Sequence, residues 1–188
     1  MKKRKVGIFG GSFDPIHIGH LNLAISLKEA CHLDEVIFVP AQLSPFKEKN
    51  PPKASGAHRL KMVELALSSL PGCSVIDEEL QRPPPSYTID TVRKLAEDTS
   101  RELHLLIHAS LVESFLSWKE AEELIRLAPP FIGSSSFKAI AWGKVIPIPS
   151  FEVSSTLIRK RLAKKLYCEH LLTPLVLNYI QEHELYHG

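Results

Sequence analysis

The stretch Gly7–Leu21, GIFGGSFDPIHIGHL, sets two imidazoles close behind an apolar run and a pair of glycines. His17 and His20 are three apart, so they share one face of a helix at its positive end. Helix N-termini favour anions, and imidazole N–H groups donate to phosphate oxygens. Gly10 and Gly11, at the expected end of the first strand, permit positive φ and a close approach of ligand to backbone. Gly19 removes a side chain between the histidines, leaving room for a flat base or a ribose. One histidine at a helix start reads as a cap; the whole run Phe-Asp-Pro-Ile-His-Ile-Gly-His after a glycine-ended strand reads as a phosphate site. Two histidines three apart with no third placed ligand do not make a zinc site.

A second anion-directed stretch is Val153–Arg159, VSSTLIR. Ser154 or Ser155 is placed to cap a helix, and Arg159, one turn on, can reach phosphate. Lys160, Arg161, Lys164 and Lys165 continue the positive charge and read as a solvated helix face.

The elements that must carry these residues alternate. Val6–Phe9, Glu35–Pro40, Cys73–Ile76, Leu103–Ile107 and Lys144–Ile148 read as strands. His17–Ala30, Ala57–Leu70, Tyr87–Glu97, Trp118–Leu127, Ser155–Lys165 and Pro174–His183 read as helices. Leu21, Ala24, Ile25 and Leu27 form one expected apolar stripe, and Leu60, Val63, Leu67 and Leu70 another. The pattern predicts an α/β, Rossmann-like, doubly wound parallel sheet with a small helical C-terminal extension from about residue 151. Residues 41–56 are too long and irregular for a simple connection, the kind of loop that carries function.

The chain of 188 residues, 44% hydrophobic and 23% charged, suits a single globular domain spanning 1–188. A net charge of +2 gives no broad footprint for nucleic acid. No apolar run approaches a membrane span, and the basic N-terminus lacks a signal-peptide core. Three scattered cysteines, Cys31, Cys73 and Cys168, read as free thiols. A cytoplasmic location is expected.

The first motif resembles the H-x-G-H signature of nucleotidyltransferases, and VSSTLIR resembles the second signature of those that use ATP. Three further segments, PPSYTIDT, FLSWKEAEEL and VLNYIQEHELY, are similar to bacterial nicotinate mononucleotide adenylyltransferases. The likeness runs from Val6 to Tyr186. It implies that Gly10, Gly11, Ser12, Phe13, Gly19, Ser154, Ser155 and Thr156 bind ATP. It further implies that His17, His20, Lys47 and Arg159 stabilise the phosphate charge, and that Tyr87, Thr88, Trp118 and Ser110 serve the acceptor, with Trp118 stacking on the pyridine ring. Mg²⁺ is expected on the nucleotide, with no metal held by the protein itself. The expected substrates are ATP and nicotinate mononucleotide, without nucleic acid or membrane.

The sequence departs from that pattern in three places. Ser44-Pro45-Phe46-Lys47 stands where P-P-H-K is usual, His108-Ala109-Ser110 where G-x-D is usual, and no R-P-G segment occurs. Two alternatives stay open at this level. One is another acceptor, nicotinamide mononucleotide or phosphopantetheine; the other is a nucleotide-binding homologue without catalysis.

Overall fold

The computed structural model describes residues 2–136, 139–149 and 151–187. Its strands are β1 (Arg4–Gly11), β2 (Glu35–Pro40), β3 (Cys73–Val75), β4 (Arg101–His108), β5 (Phe131–Ser134) and β6 (Lys144–Pro147). All pairings are parallel, in the order β3-β2-β1-β4-β5-β6, the doubly wound arrangement. Helices α1 (Ile18–Ala30), α2 (Gly56–Leu67), α3 (Thr88–Ala96), α4 (Val112–Phe115), α5 (Ala121–Leu127), α6 (Ser155–Ala163) and α7 (Pro174–Glu182) connect and follow the strands.

Each central strand splits its side chains between two cores, as the two-residue repeat of a strand requires. Val6 and Ile8 of β1, Ile37 and Val39 of β2, and Leu103, Leu105 and Ile107 of β4 face Ile89 and Val92 of α3 and Leu124 of α5. Phe9, Val36, Phe38 and Leu106 face Leu23, Ala24 and Leu27 of α1 and Met62, Val63 and Ala66 of α2. Ile158, Leu162, Val176, Leu177 and Ile180 belong to that second core. The expected helical C-terminal part is present as α6 and α7, and it packs into the main core.

Several boundaries differ from the sequence expectation. β5 has no counterpart in it: Phe131–Ser134, with a glycine and a serine, becomes a strand through its pairing with β4 and β6. The expected helix over Trp118–Leu127 begins only at Ala121: Glu120 sits in the left-handed region (φ 54°), and Trp118 lies in the preceding turn, its N–H donating to Phe115 O at 3.0 Å. The buried stripes are rotated by about one position, to Leu23, Ala24 and Leu27 in α1 and to Arg59, Met62, Val63, Ala66 and Leu67 in α2.

Candidate active site

The strand order reverses between β1 and β4, so a crevice opens beyond the carboxyl ends of these two strands. Two cavities, ≈ 630 and ≈ 660 Å³, lie there side by side. They share a wall made of Gly10, Gly11, Ser12, Phe46, Lys47 and Leu111.

The turn leaving β1 is built differently from the sequence reading. Neither Gly10 nor Gly11 adopts a positive φ; both continue the extended strand, and the left-handed residue is Phe13 (φ 47°). Space requires a glycine at position 11 but not at position 10. A Cβ on Gly11 would lie 2.9 Å from the buried Phe13 ring, whereas a Cβ on Gly10 would meet no protein atom within 4 Å and would point into open space. Gly19 also differs: a Cβ there would lie 2.7 Å from Val153 Cγ1 and 3.2 Å from the His17 ring. Gly19 allows the close seating of α1 against the segment that enters α6, and it also lines the first cavity.

Asp14, 4% exposed, anchors the turn. Its carboxylate accepts from Lys53 N–H (2.8 Å), Ala54 N–H (3.0 Å) and Tyr186 Oη–H (2.8 Å), with Arg159 Nη1 at 3.5 Å. Burial and the adjacent carboxylate push the Tyr186 phenol well above its ordinary value, so it remains a donor. Arg59, 1% exposed, lies beneath the same turn. Its guanidinium donates to Ser12 O (2.8 Å), Ala41 O (2.6 Å), Gln42 O (3.3 Å) and Ala54 O (3.2 Å). Burial lowers its affinity for its proton, and Asp14 partly offsets this. Sequence reading missed Arg59, Tyr186 and the anchoring role of Asp14. A signal for Arg59 existed: it is in helical register with Met62, Val63, Ala66 and Leu67.

His17 and His20 stack at the entrance of α1, ring centroids 3.7 Å apart. The backbone N–H of His17 donates to His20 Nδ1 at 3.2 Å. A neutral His20 therefore carries its proton on Nε2 and presents that N–H as a donor. His17 Nδ1 is buried without a hydrogen-bond partner among the described residues. Burial pushes the His17 pKa down to about 4. His20 is held well below the ordinary imidazole value, by burial first and then by His17, Lys47 and His108. Most backbone donors here are already engaged: Ile18 N–H donates to Leu171 O and His20 N–H to His17 O. The imidazoles, more than the helix end, are what this element offers an anion.

The other wall of the first cavity is the start of α6. Ser154 is the cap, its Oγ accepting from Leu157 N–H at 3.2 Å. Ser155 Oγ donates to Pro15 O (2.9 Å), which ties α6 to the turn before α1. Arg159 donates to Asp14 O (2.7 Å) and Thr156 Oγ1 (3.1 Å), so its guanidinium is held at the cavity edge. Lys47 Nζ donates to Ser12 Oγ (3.1 Å) in the wall between the cavities. Burial, then Arg159, lowers its pKa.

The second cavity is lined by Tyr87, Thr88 and Trp118, with Lys119 Nζ 4.3 Å above the Tyr87 ring. The loop bearing Ser86 and Tyr87 is zipped to the segment after β2, since Ser86 Oγ accepts from Gln42 N–H (2.9 Å) and Ser86 N–H donates to Leu43 O (2.8 Å). Ser110 is not in this group. It lines the first cavity beside His108, with its N–H and hydroxyl on His108 Nδ1 at 3.2 and 2.9 Å. The expected residues thus fall into two sets, one on each cavity, with Lys47 between them.

Residues 8–161 match the family model described as cytidylyltransferase-like. The chain is 37% identical to the nicotinate-nucleotide adenylyltransferase of Bacillus subtilis over 191 residues, covering 97% of this chain and 98% of that one. It is 38% identical to a probable nicotinate-nucleotide adenylyltransferase of Dehalococcoides mccartyi, covering 100% and 99%. In fold it is similar to the Plasmodium falciparum nicotinic acid mononucleotide adenylyltransferase complexed with NaAD, with a TM-score of 0.80, 21% identity and 97% of each chain covered.

Proposed function

From the premise that this chain belongs to the cytidylyltransferase-like family, we propose that it transfers the adenylyl group of ATP to nicotinate mononucleotide, giving deamido-NAD and pyrophosphate. The observation that carries the reading is the pair of adjoining cavities with Lys47 in their common wall. One is lined by histidines, a serine-capped helix start and Arg159, which suits a triphosphate. The other is lined by Tyr87, Thr88 and Trp118, which suits a flat ring bearing a small anion. Residues 1–188 act in this reading as one nucleotidyltransferase domain.

The reaction needs no general base, because a phosphate oxygen of the mononucleotide is already a nucleophile at neutral pH. It attacks the α-phosphorus of ATP in line; the new P–O bond forms as the bond to the β-phosphate oxygen breaks, and the electron pair leaves with pyrophosphate. Rate then comes from alignment and charge stabilisation. His20 Nε2–H and His17 serve the α- and β-phosphate oxygens. Lys47 and Arg159 balance the charge that develops on pyrophosphate, while Ser154, Ser155 and Thr156 hold the triphosphate tail. Gly10 to Phe13 let the nucleotide approach the end of β1. Ser110, paired with His108, faces the nucleotide side.

Mg²⁺ enters with ATP as part of the substrate and neutralises phosphate charge. Asp14 is the one carboxylate lining the first cavity among the described residues, and it already accepts three hydrogen bonds. That donor set suits an ion carried by phosphate oxygens and water. No described helix is long and apolar enough to cross a membrane. The decisive experiment measures pyrophosphate release from Mg·ATP with nicotinate mononucleotide, nicotinamide mononucleotide and phosphopantetheine in parallel. Fastest turnover with nicotinate mononucleotide is expected; fastest turnover with either other acceptor, or none with any, overturns the reading.

A further inference from the structure

Phe46 stands in the short turn Pro45–Lys47, next to the lysine that separates the cavities, and is 60% exposed. Exposure of one apolar side chain means little by itself. Its aim is more telling. The Phe46 ring faces Trp118 across the second cavity, centroids 6.4 Å apart and planes inclined by 41°. Trp118 is supported from behind. Phe115, fully buried, lies 5.1 Å from Trp118 and stacks on Trp142 at 4.5 Å and 12°. One wall of the gap is thus backed by packed aromatic rings, and the other is a single ring on a surface turn.

We propose that Phe46 binds the acceptor directly, forming with Trp118 a two-sided aromatic slot that takes the flat, N-ribosylated pyridinium ring of the mononucleotide. This rests on the adenylyl-transfer reading above. A planar ring between two π-faces needs about 7 Å, two contacts of roughly 3.5 Å each. The observed centroid separation is short of that by less than an ångström, so the slot requires the Phe46 ring to turn parallel to Trp118 and move slightly outward. The pyridinium ring is cationic, and both aromatic faces present negative quadrupole to it. A phenylalanine cannot donate a hydrogen bond to phosphate, as a histidine at this position could. In the wall common to both cavities, Phe46 therefore offers the acceptor the face of its ring and no hydrogen bond to its phosphate. Stacking recognises the ring and not its substituent, so the carboxylate is read by other groups.

The test compares Phe46→Ala, Phe46→Leu and Phe46→Tyr with wild type in steady-state kinetics. Each KM for the mononucleotide is checked by direct binding, through quenching of Trp118 fluorescence in a Trp142→Phe background. Because Phe46 is exposed, the variants are expected to melt with wild type. Phe46→Ala and Phe46→Leu raise KM and Kd for nicotinate mononucleotide about 5- to 30-fold, the range of a lost stacking or cation–π contact. Phe46→Tyr restores wild-type values, and KM for ATP stays within about twofold throughout. An active wild type with unchanged Phe46→Ala values, or with Phe46→Leu as good as Phe46→Tyr, overturns the slot alone. A wild type that neither binds nor turns over the mononucleotide overturns the adenylyl-transfer reading and the slot with it.

Discussion

Two imidazole rings stacked at 3.7 Å cannot both carry a proton without strong repulsion, and burial already disfavours a charge on either. The free site therefore holds neutral histidines, and a triphosphate supplies the negative charge that draws protons in. Calorimetry of ATP binding at pH 6 in two buffers of different ionisation enthalpy is expected to show net proton uptake; uptake of zero, or release, counts against the histidines as the anion's partners. The same shift acts on folding. The unfolded chain protonates His17 near 6.5 and the folded chain only at about 4, so stability from this group is complete above pH 6.5 and is lost as pH falls toward 4. The full loss is about 3 kcal/mol below pH 4, at 1.36 kcal/mol per pKa unit, and about 2 kcal/mol of it is reached by pH 5, which urea midpoints at pH 7.5 and 5 report. His20→Ala is expected to lower kcat at least ~100-fold, the scale of a lost transition-state donor. His20→Asn keeps an acceptor for the His17 N–H and recovers stability but not rate. Near-wild-type kcat in a folded His20→Asn protein would remove His20 from the chemistry. Both histidines were legible in the sequence because a three-residue spacing on one helix is set by the chain itself.

At the scale of the element, α2 does what its apolar pattern did not announce. It inserts Arg59 beneath the turn after β1 and joins that turn to both ends of the segment between β2 and α2 through four carbonyls. Arg59→Met leaves those carbonyls without their donor, and a loss of about 3 kcal/mol is expected. Lysine has too few donors in the wrong geometry to rescue it. Limited proteolysis should cut Arg59→Met within residues 41–55 at protein concentrations where wild type resists; equal resistance contradicts the role. The residue was hidden because an arginine in a helix is ordinarily solvated, and only the neighbouring carbonyls show where its charge goes. β5 was hidden for a related reason: Phe131–Ser134 is made a strand by pairing with β4 and β6 and not by its own composition. Trp118 fell outside its expected helix because Glu120 turns left-handed, where Arg93 meets the carboxylates of Glu120 and Glu123.

At the scale of the molecule, the first and last parts of the chain close on the same carboxylate. Tyr186 Oη–H reaches Asp14 across 172 positions, and Arg159 reaches it across 145. The helices α6 and α7 thus bring the second phosphate motif to the first and hold it there. Tyr186→Phe removes one hydrogen bond to a buried carboxylate, with an expected cost of roughly 1.5–3 kcal/mol. Because Asp14 also positions Arg159, KM for ATP should rise while KM for the mononucleotide holds. An equal rise in both, or in neither, would make the contact purely structural or idle.

The sequence by itself determined the alternation of strand and helix, the two phosphate-directed motifs and the histidine pair, because each depends on residues close along the chain. Tertiary structure alone decided that the two motifs face one cavity, that Ser110 lies on the histidine side of it, and that Arg59 and Asp14 lock its turn. Those outcomes depend on the strand order, which places β1 beside β4 and reverses the winding between them. No local pattern encodes which strands become neighbours; burial of two apolar faces against two layers of helices does.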